Sequence, residues 1–392
     1  MKALLVHNHY QQSGGEDAVF AAEGRLLEAH GARVIRYTAH NDDVAALGRI
    51  ALASSTVWNR RHYRALRAVL RRERPDVMHV HNTLPLISPA AYYAARAEGV
   101  PVVQTLHNYR LLCPGANFLR DGKVCEKCVG KSLPYPGLVH RCYRGSLAAS
   151  GAVVTALAVH RALGTWTDQV DLFIALTEFA RRKHVEGGLP HERVVVKPQF
   201  VESDPGAGDG SGGYALYVGR LSEEKGVRVL LAAWAALDVP MTLKVVGDGP
   251  LSPARDGAAD HTGVEFLGHQ PPAVVQALMK RARFLVVPSV CYEGFPLVIA
   301  EAFAVGLPVI TSDIGSPPSL VEDGATGLHF RSGDPHALAT RVRWASEHVD
   351  ELTAMRVRAR RQYEARYTAR RNYDLLMQAY ESAAAHARAR TA

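Results

Sequence analysis

The chain has 392 residues, of which 47% are hydrophobic and 21% are charged, and its net charge is +8. This length exceeds what one hydrophobic core usually serves, so we expect a globular protein of two domains. No apolar run approaches the roughly 20 residues that span a bilayer, and the first residues, MKALLVHNHY, lack the features of a signal peptide. We therefore expect a cytoplasmic protein. Its charge suits an anionic partner: nucleic acid, a phosphorylated small molecule or an acidic membrane face.

Strands and helices alternate along the first half of the chain. Periodicity predicts strands at residues 2–7, 32–38, 76–82, 101–108, 172–176 and 194–200, and helices at 16–31, 88–99 and 177–188. This βαβ order predicts a parallel sheet with right-handed crossovers. We assign residues 1–200 to an N-terminal Rossmann-like domain.

A glycine-rich segment without an apolar period, residues 201–213, is predicted to be a linker. A GxGxxG pattern occurs at its end, but it precedes a strand instead of following one, so it does not indicate a dinucleotide site. A second α/β alternation follows, and we assign residues 214–365 to a C-terminal domain. The last segment, 366–392, is predicted to be a helix that packs back toward the N-terminal domain. Two such α/β domains imply a cleft where ligands meet the carboxyl ends of strands.

Two glutamates lie eight positions apart in the apolar segment 291–310: Glu293 and Glu301. A bare buried carboxylate is costly, so each needs a partner. A helix is predicted to begin near Pro296, which places Glu293 in the loop before it and Glu301 on it. The alternative is that Glu293 only complements the helix dipole and that Glu301 is a satisfied core acid.

The start of this helix is also a candidate anion site. Helix N-termini present free amides, here those of Gly294, Phe295 and Leu297. Two cations, Arg220 and Lys225, follow the strand predicted at 214–218, and a guanidinium with an ammonium suits a diphosphate. In the alternative interpretation, Glu223 and Glu224 simply pair with these cations in a solvated loop.

Four ordered segments, 217–226, 245–250, 264–269 and 291–328, resemble the C-terminal domain of retaining glycosyltransferases of family 4, which have the GT-B fold. The E-x7-E motif of that family matches Glu293 and Glu301. The resemblance implies that Glu301 binds the ribose hydroxyls of a nucleotide-sugar donor and that Glu293 lies on its sugar side. It also implies that Arg220 and Lys225 bind the diphosphate, assisted by the amides after Gly294.

In the first half, the resemblance implies two further elements. A glycine-rich loop at Gly14 and Gly15 lets the backbone approach the donor phosphates and the acceptor, although a plain flexible turn is the alternative. A histidine after a central strand lies near the donor sugar, and His107 matches that position. His79 and His81 are interpreted as packing or acceptor contacts, and His7 and His9 have no assigned role.

The reaction implied is sugar transfer with retention at the anomeric carbon. The sequence has no Asp-x-Asp pair, so we expect cations of the protein to stabilise the leaving diphosphate without a metal cofactor. We hypothesise a front-face path in which the leaving phosphate takes the acceptor proton. His107 and Glu293 are the candidate catalytic residues.

Four of the five cysteines fall within an insert at residues 109–145: Cys113, Cys125, Cys128 and Cys142. Their C-x11-C-x2-C-x13-C spacing is typical of a structural zinc site with four thiolates. Free thiols are nearly as compatible with the pattern, and disulfides suit a cytoplasmic protein less well.

Seven arginines occur between Arg60 and Arg74, near Trp58. This pattern fits either an amphipathic helix on an anionic membrane or a solvated helix face. We expect the acceptor to be a saccharide or lipid-linked saccharide. Two other functions were weighed: a sugar-nucleotide epimerase, which fits the E-x7-E segment less well, and a nucleic-acid binder, which the aromatic content of 7% disfavours.

Overall fold

The computed structural model describes residues 1–12, 14–252 and 262–391 and divides into two compact units. Unit 1 comprises residues 1–118, 126–198 and 372–392, and unit 2 comprises residues 119–125 and 199–371. The strands of the described residues are Lys2–His9 (β1), Arg33–His40 (β2), Val77–Val80 (β3), Val102–Leu106 (β4), Leu119–Arg120 (β5), Lys123–Val124 (β6), Leu172–Ala175 (β7), Val194–Val196 (β8), Tyr214–Val218 (β9), Thr242–Val246 (β10), Val264–Gly268 (β11), Phe284–Val287 (β12), Val309–Ser312 (β13) and Gly327–Phe330 (β14).

The α-helices of the same residues are Gly15–Ala29, Arg49–Val57, Arg60–Glu73, Ala90–Ala97, Tyr135–Val139, Leu147–Ala162, Thr165–Asp168, Glu178–Glu186, Val227–Ala235, Pro272–Arg281, Leu297–Ala304, Pro317–Leu320, Pro335–Glu347, Val349–Arg366 and Ala369–Thr391. Short 3-10 helices span Asn41–Ala46, His191–Arg193 and Glu223–Lys225. None of these helices combines the length and apolar composition required to cross a bilayer.

Unit 1 is built on a six-stranded sheet with the order β2-β1-β3-β4-β7-β8, and all its neighbouring strands are parallel. Its central strands β3 and β4 are buried throughout because both faces of such a sheet are covered. On one face, Leu5 and Val103 pack in a cluster with Leu27 from the first helix and Leu376 from the last. The C-terminal helix is therefore part of the core of unit 1.

Unit 2 repeats this plan with the strand order β11-β10-β9-β12-β13-β14, again all parallel. Successive residues of β9 alternate between two separate hydrophobic clusters. Ala215 and Tyr217 belong to one cluster, and Tyr214 and Leu216 belong to the other. This alternation confirms a sheet with apolar packing on both faces, as the α/β pattern predicted.

Segment 201–213, predicted as a linker, is part of unit 2 and is hydrogen-bonded to it. The amides of Gly208 and Gly212 donate to the carbonyls of Val305 and Arg281 at 2.9 and 2.7 Å. Although this segment has no apolar period, its backbone is therefore hydrogen-bonded within unit 2.

Candidate active site

In unit 2, Glu293 lies at the centre of a short network at the carboxyl end of β12. Its Oε1 accepts hydrogen bonds from Nζ of Lys225 and from Oγ of Ser289, both at 2.7 Å. The Glu293 side chain is 12% exposed and that of Lys225 is 32% exposed. Glu293 comes from the loop before helix Leu297–Ala304, and Lys225 comes from the loop after β9. The two loops thus bring an acid and a cation into direct contact.

Charge pairing controls the ionisation of this network. Burial alone would raise the pKa of Glu293, but the charge and hydrogen bond of Lys225, with the Ser289 hydroxyl, lower it below the usual value. The pKa of Lys225 is raised because the attraction of Glu293 exceeds the effect of its own desolvation. Glu293 is therefore a carboxylate and Lys225 an ammonium at neutral pH.

Glu301 lies in a different environment on helix Leu297–Ala304. Among the hydrogen bonds of residues 1–12, 14–252 and 262–391, none involves its carboxylate, and burial raises its pKa. The amides of Gly294, Phe295 and Leu297 likewise donate to no described backbone carbonyl. A half-buried acid and three amides near it are thus available to bind a ligand.

The loop after β10 packs closely against the loop after β9. A Cβ on Gly247, whose φ is +136°, would lie 1.9 Å from the carbonyl oxygen of Gly219, and one on Gly249 would lie 2.2 Å from that of Leu221. Both positions therefore require glycine, because the two loops approach each other too closely for a side chain.

Arg220 is exposed and forms no ion pair within the described part of the chain. Glu223 pairs instead with Arg228, at 2.7 Å. Glu223 therefore pairs with neither Arg220 nor Lys225, unlike in the alternative interpretation of this loop.

In unit 1, Gly14 and Gly15 begin the helix that follows β1, and a Cβ on either would meet no atom within 4 Å. Asp17 fixes this turn: its carboxylate accepts the Gly14 amide at 2.9 Å and contacts the His7 ring at 2.9 Å. Burial opposes ionisation of Asp17, but its hydrogen bonds, first that of His7, lower its pKa to about 2. Nδ1 of His9 lies 3.0 Å from Oδ1 of Asp17, the oxygen that His7 also contacts.

His107 follows β4, and its Nε2 is hydrogen-bonded to Nδ1 of His81 at 2.9 Å. The other ring nitrogen of His81 lies 3.5 Å from Oε2 of Glu23, whose Oε1 accepts from Nζ of Lys197 at 2.5 Å. His81, Glu23 and Lys197 are buried. Burial, followed by neighbouring cationic groups, holds the pKa of His107 well below its usual range, so its imidazole is neutral.

His79 belongs to the same buried group, with its two ring nitrogens bonded to Tyr380 at 3.0 Å and to Thr105 at 2.7 Å. Asp17, Glu23 and Lys197 were not predicted as site residues from the sequence. The position of Asp17 three residues after Gly14 is a helix-capping signal that indicates its local role. Glu23 and Lys197 are 174 residues apart and no local signal joins them.

The four cysteines of the insert differ in burial: Cys113 and Cys128 are buried, and Cys125 and Cys142 are half-buried. No disulfide occurs among the cysteines of the described residues. Two groups of metal-ligating side chains occur within those residues, His7–His9–Asp17 and Glu23–His79–His81, and neither contains a cysteine. The four-thiolate zinc site stays a prediction.

The arginine-rich segment forms helix Arg60–Glu73, which buries Leu66 and Leu70 on one face. Arg67 and Arg71 both pair with Glu98, at 2.6 and 2.9 Å. Part of its charge is thus neutralised within unit 1.

Two units with parallel six-stranded sheets, one of which has an acid–cation pair before a helix with free amides, define a glycosyltransferase of the GT-B class. The profile "Glycosyltransferase Family 4" matches residues 13–204 and the profile "Glycosyl transferases group 1" matches residues 212–348. The chain belongs to glycosyltransferase family 4.

Known proteins support this assignment. Glycogen synthase of Mycobacterium tuberculosis is 29% identical over 297 residues, which are 73% of this chain and 63% of that protein, so the chain spans less than two thirds of that relative. Anabaena Alr3699/HepE, solved with UDP and glucose, matches with a TM-score of 0.68 at 18% identity over 97% of this chain and 100% of its own. Sucrose-phosphate synthase of Thermosynechococcus elongatus matches with a TM-score of 0.70 at 18% identity, over 97% and 98% of the two chains.

Proposed function

We propose that this protein transfers a sugar from a nucleotide-diphosphate sugar to a saccharide hydroxyl, with retention at the anomeric carbon, in polysaccharide or glycolipid synthesis. The observation that supports this most directly is the Lys225–Glu293–Ser289 network beside the unpartnered acid Glu301. The named relatives are a glycogen synthase and a sucrose-phosphate synthase, and neither is an epimerase.

Each residue has a defined role in this proposal. Glu301 accepts hydrogen bonds from the ribose hydroxyls, while Lys225 and Arg220 neutralise the diphosphate. The amides of Gly294, Phe295 and Leu297 donate to the phosphates or to the sugar. The backbone at Gly14 and Gly15 approaches the same phosphates, and neutral His107 hydrogen-bonds the sugar.

The chemical step breaks the bond between the anomeric carbon and the diphosphate oxygen and forms a bond to the acceptor oxygen on the same face. The acceptor proton passes to the leaving phosphate oxygen. Glu293 stays ionised through its pairing with Lys225 and stabilises positive charge on the sugar ring. We propose that the two cations make a divalent metal unnecessary for this step.

A donor screen tests the function. We expect one of UDP-, GDP-, ADP- or dTDP-sugars to raise the melting temperature of the protein and to be hydrolysed or transferred, and Glu301→Gln to abolish both effects. Glu351→Gln, a change at an exposed acid of the same unit, is the matched control. If no donor has either effect, the proposal fails. Proton NMR of the product reports retention, and activity in excess EDTA reports metal independence.

We also propose that Cys113, Cys125, Cys128 and Cys142 bind one structural zinc ion. In support, the Cβ position of Gly115 lies 3.6 Å from Sγ of Cys113 and 3.4 Å from the carbonyl of Cys142, so these two cysteines are neighbours. Metal analysis is expected to give one equivalent in the wild type and in Cys291→Ser, but less in Cys128→Ser. Less than half an equivalent in the wild type contradicts the proposal.

A cytoplasmic location at the inner membrane face, with peripheral contact to anionic lipid, is a further part of the proposal. It is supported by the exposed Arg60, Arg61 and Arg64 on one helix. Sedimentation with acidic liposomes should exceed sedimentation with neutral ones, and equal partitioning would remove this part.

A further inference from the structure

Two histidines and one aspartate converge where the first strand of unit 1 ends. His7 and His9 lie two positions apart on β1, so their side chains are on the same face of the sheet. Asp17 lies in the first turn of the helix that follows. Nε2 of His7 and Nδ1 of His9 lie 2.9 and 3.0 Å from one atom, Oδ1 of Asp17. These three atoms all lie within 4.8 Å of one another. Three potential metal ligands from two elements thus meet in one small volume.

The separations of these atoms are close to those in a metal site. Around a tetrahedral zinc ion with ligand bonds of about 2.0–2.2 Å, neighbouring ligand atoms lie about 3.3 Å apart. Both contacts of Asp17 Oδ1 are a few tenths of an ångström shorter than this. The two imidazole planes are 85° apart, so the rings approach the carboxylate from different directions. Small movements of these side chains would therefore place the three atoms around an ion.

Hydrogen bonds alone crowd the shared oxygen. Besides the two histidines, the backbone amide of Tyr10 lies 3.3 Å from Oδ1 of Asp17. A carboxylate oxygen offers about two lone pairs, so three donors compete for two acceptor positions. A metal ion bound to both imidazoles would take the place of two of these donors.

The environment of Asp17 also suits a cation. Its Oδ2 accepts the Gly14 amide at 2.9 Å, so Oδ1 stays directed at the histidines. Hydrogen bonds of this kind orient carboxylates that bind metals. Among the ion pairs of residues 1–12, 14–252 and 262–391, those of Asp17 involve only His7 and His9. The His9 side chain is 31% exposed, which gives an ion a route from solvent.

A second group of potential ligands in unit 1, Glu23, His79 and His81, lies beside a cation of the protein. Nζ of Lys197 donates to Oε1 of Glu23 at 2.5 Å, and both side chains are buried. Both ring nitrogens of His79 are already hydrogen-bonded. A divalent ion in this group would be repelled by the ammonium at short range in a poorly screened interior. This group therefore does not compete as a metal site.

We propose that His7, His9 and Asp17 bind one zinc ion through Nε2, Nδ1 and Oδ1, with water as a fourth ligand. Imidazole and carboxylate are typical zinc ligands, and two imidazoles favour a transition metal over Mg²⁺, which prefers oxygen. The ion connects the end of β1 to the first helical turn and so stabilises the turn at Gly14. The inference goes beyond sugar transfer, since binding of the ion needs no donor.

Equilibrium dialysis of the untagged full chain against Zn²⁺ in excess Mg²⁺ tests the inference. We expect the wild type to bind one equivalent of zinc more than His9→Gln. Zinc held by the cysteines of the insert is common to both proteins and cancels in this difference. Asp17→Asn keeps an oxygen for the Gly14 amide but loses the charge, and should weaken binding at least about tenfold. Zn²⁺ should also raise the melting temperature of the wild type more than that of either variant.

Co²⁺ distinguishes this site from the cysteine insert. Thiolate ligands give Co²⁺ an intense charge-transfer band in the near ultraviolet, whereas imidazole and carboxylate ligands give only weaker visible bands. His9→Gln should therefore lose visible absorbance without a change in the near ultraviolet. His30→Gln is the matched control, because His30 is an exposed histidine at the opposite end of the helix that contains Asp17. It should bind both metals like the wild type.

Several outcomes would overturn the inference. Equal zinc in the wild type and His9→Gln would show that the cluster is a hydrogen-bonded helix cap and no more. An equal loss in His30→Gln would mean adsorption to surface histidines, and displacement of the zinc by Mg²⁺ would mean that the imidazoles are not ligands. Because no nucleotide sugar is present, a failure here leaves the transferase proposal untouched. Failure of the donor screen likewise leaves zinc binding untouched.

Discussion

The imidazoles of His81 and His107 share a hydrogen bond of 2.9 Å between the ends of neighbouring strands β3 and β4. His81 is buried, and its second ring nitrogen faces a carboxylate oxygen of Glu23 at 3.5 Å. The ring of His107 is therefore oriented by a histidine that is itself confined by packing. A side chain that is hydrogen-bonded to a buried residue in this way keeps its orientation when a ligand binds.

Replacing His81 with phenylalanine keeps the ring but removes this bond. We expect His81→Phe to lower kcat for transfer about 10- to 100-fold, because His107 loses its fixed orientation, and to leave donor affinity within about twofold of wild type. His184→Phe is the control, since His184 is also buried in unit 1 and bonds the Ala180 carbonyl. Steady-state kinetics that show equal losses in both variants would argue against an orienting role.

A second prediction concerns the Lys225–Glu293 pair. Lys225→Met leaves the buried Glu293 carboxylate with the Ser289 hydroxyl, so the pKa of Glu293 should rise. Because Lys225 is partly exposed, we expect a loss of about 1–2 kcal/mol in unfolding free energy, together with loss of stabilisation by nucleotide diphosphates. Urea unfolding with and without nucleotide measures both.

Lys244→Met is the control for this experiment. Lys244 is 26% exposed and pairs with Glu265 at 3.3 Å in the same unit. It should lose less stability and keep the nucleotide effect. A nucleotide effect that survives in Lys225→Met would remove Lys225 from the donor site.

The parallel α/β pattern and the E-x7-E segment were predictable because their signals are local. Apolar periodicity placed β9, and Pro296 marks the start of the helix that contains Glu301. The chemical partners were not predictable in the same way. Ser289 is the exception, because it follows β12 four residues before Glu293, within reach of the same loop.

Contacts distant in sequence account for what was missed. The pairing of Glu23 with Lys197 joins the first helix to the residue that follows β8, and His79 contacts Tyr380 from the C-terminal helix. The close packing of Gly247 on Gly219 likewise depends on how two loops approach. Such pairs are set by the tertiary fold and leave no periodic trace in the sequence.

Glu16 predicts a pH dependence of stability. Burial raises its folded pKa to about 7, above the ordinary value of 4.5, so the folded state holds more protons than the unfolded state between these two values. Its contribution therefore falls as pH rises from about 4.5 to 7. We expect Glu16→Gln to melt at the same temperature as wild type near pH 4.5 and at a higher temperature at pH 8.5. At pH 8.5 its free energy of unfolding should exceed that of wild type by on the order of 1–3 kcal/mol.

Thermal melts of both proteins across this pH range provide the measurement. Glu28→Gln is the control, because Glu28 lies on the same helix with a lowered pKa, due first to its bond with Arg36. An unchanged difference between wild type and Glu16→Gln at all pH values would mean that Glu16 titrates normally.

The final prediction separates stability from function at Gly15. Gly15 is the first residue of its helix, and an added Cβ there meets no protein atom within 4 Å. Because alanine has the higher helix propensity, Gly15→Ala should keep or raise stability, by up to about 1 kcal/mol. If the donor phosphates approach this backbone, the same methyl group should raise the donor KM at least tenfold. Gly151→Ala, within helix Leu147–Ala162, controls for the propensity effect, since its Cβ makes only an ordinary 3.6 Å contact with Leu138. Unchanged kinetics in Gly15→Ala would show that this turn is free of ligand and that its glycine serves the fold alone.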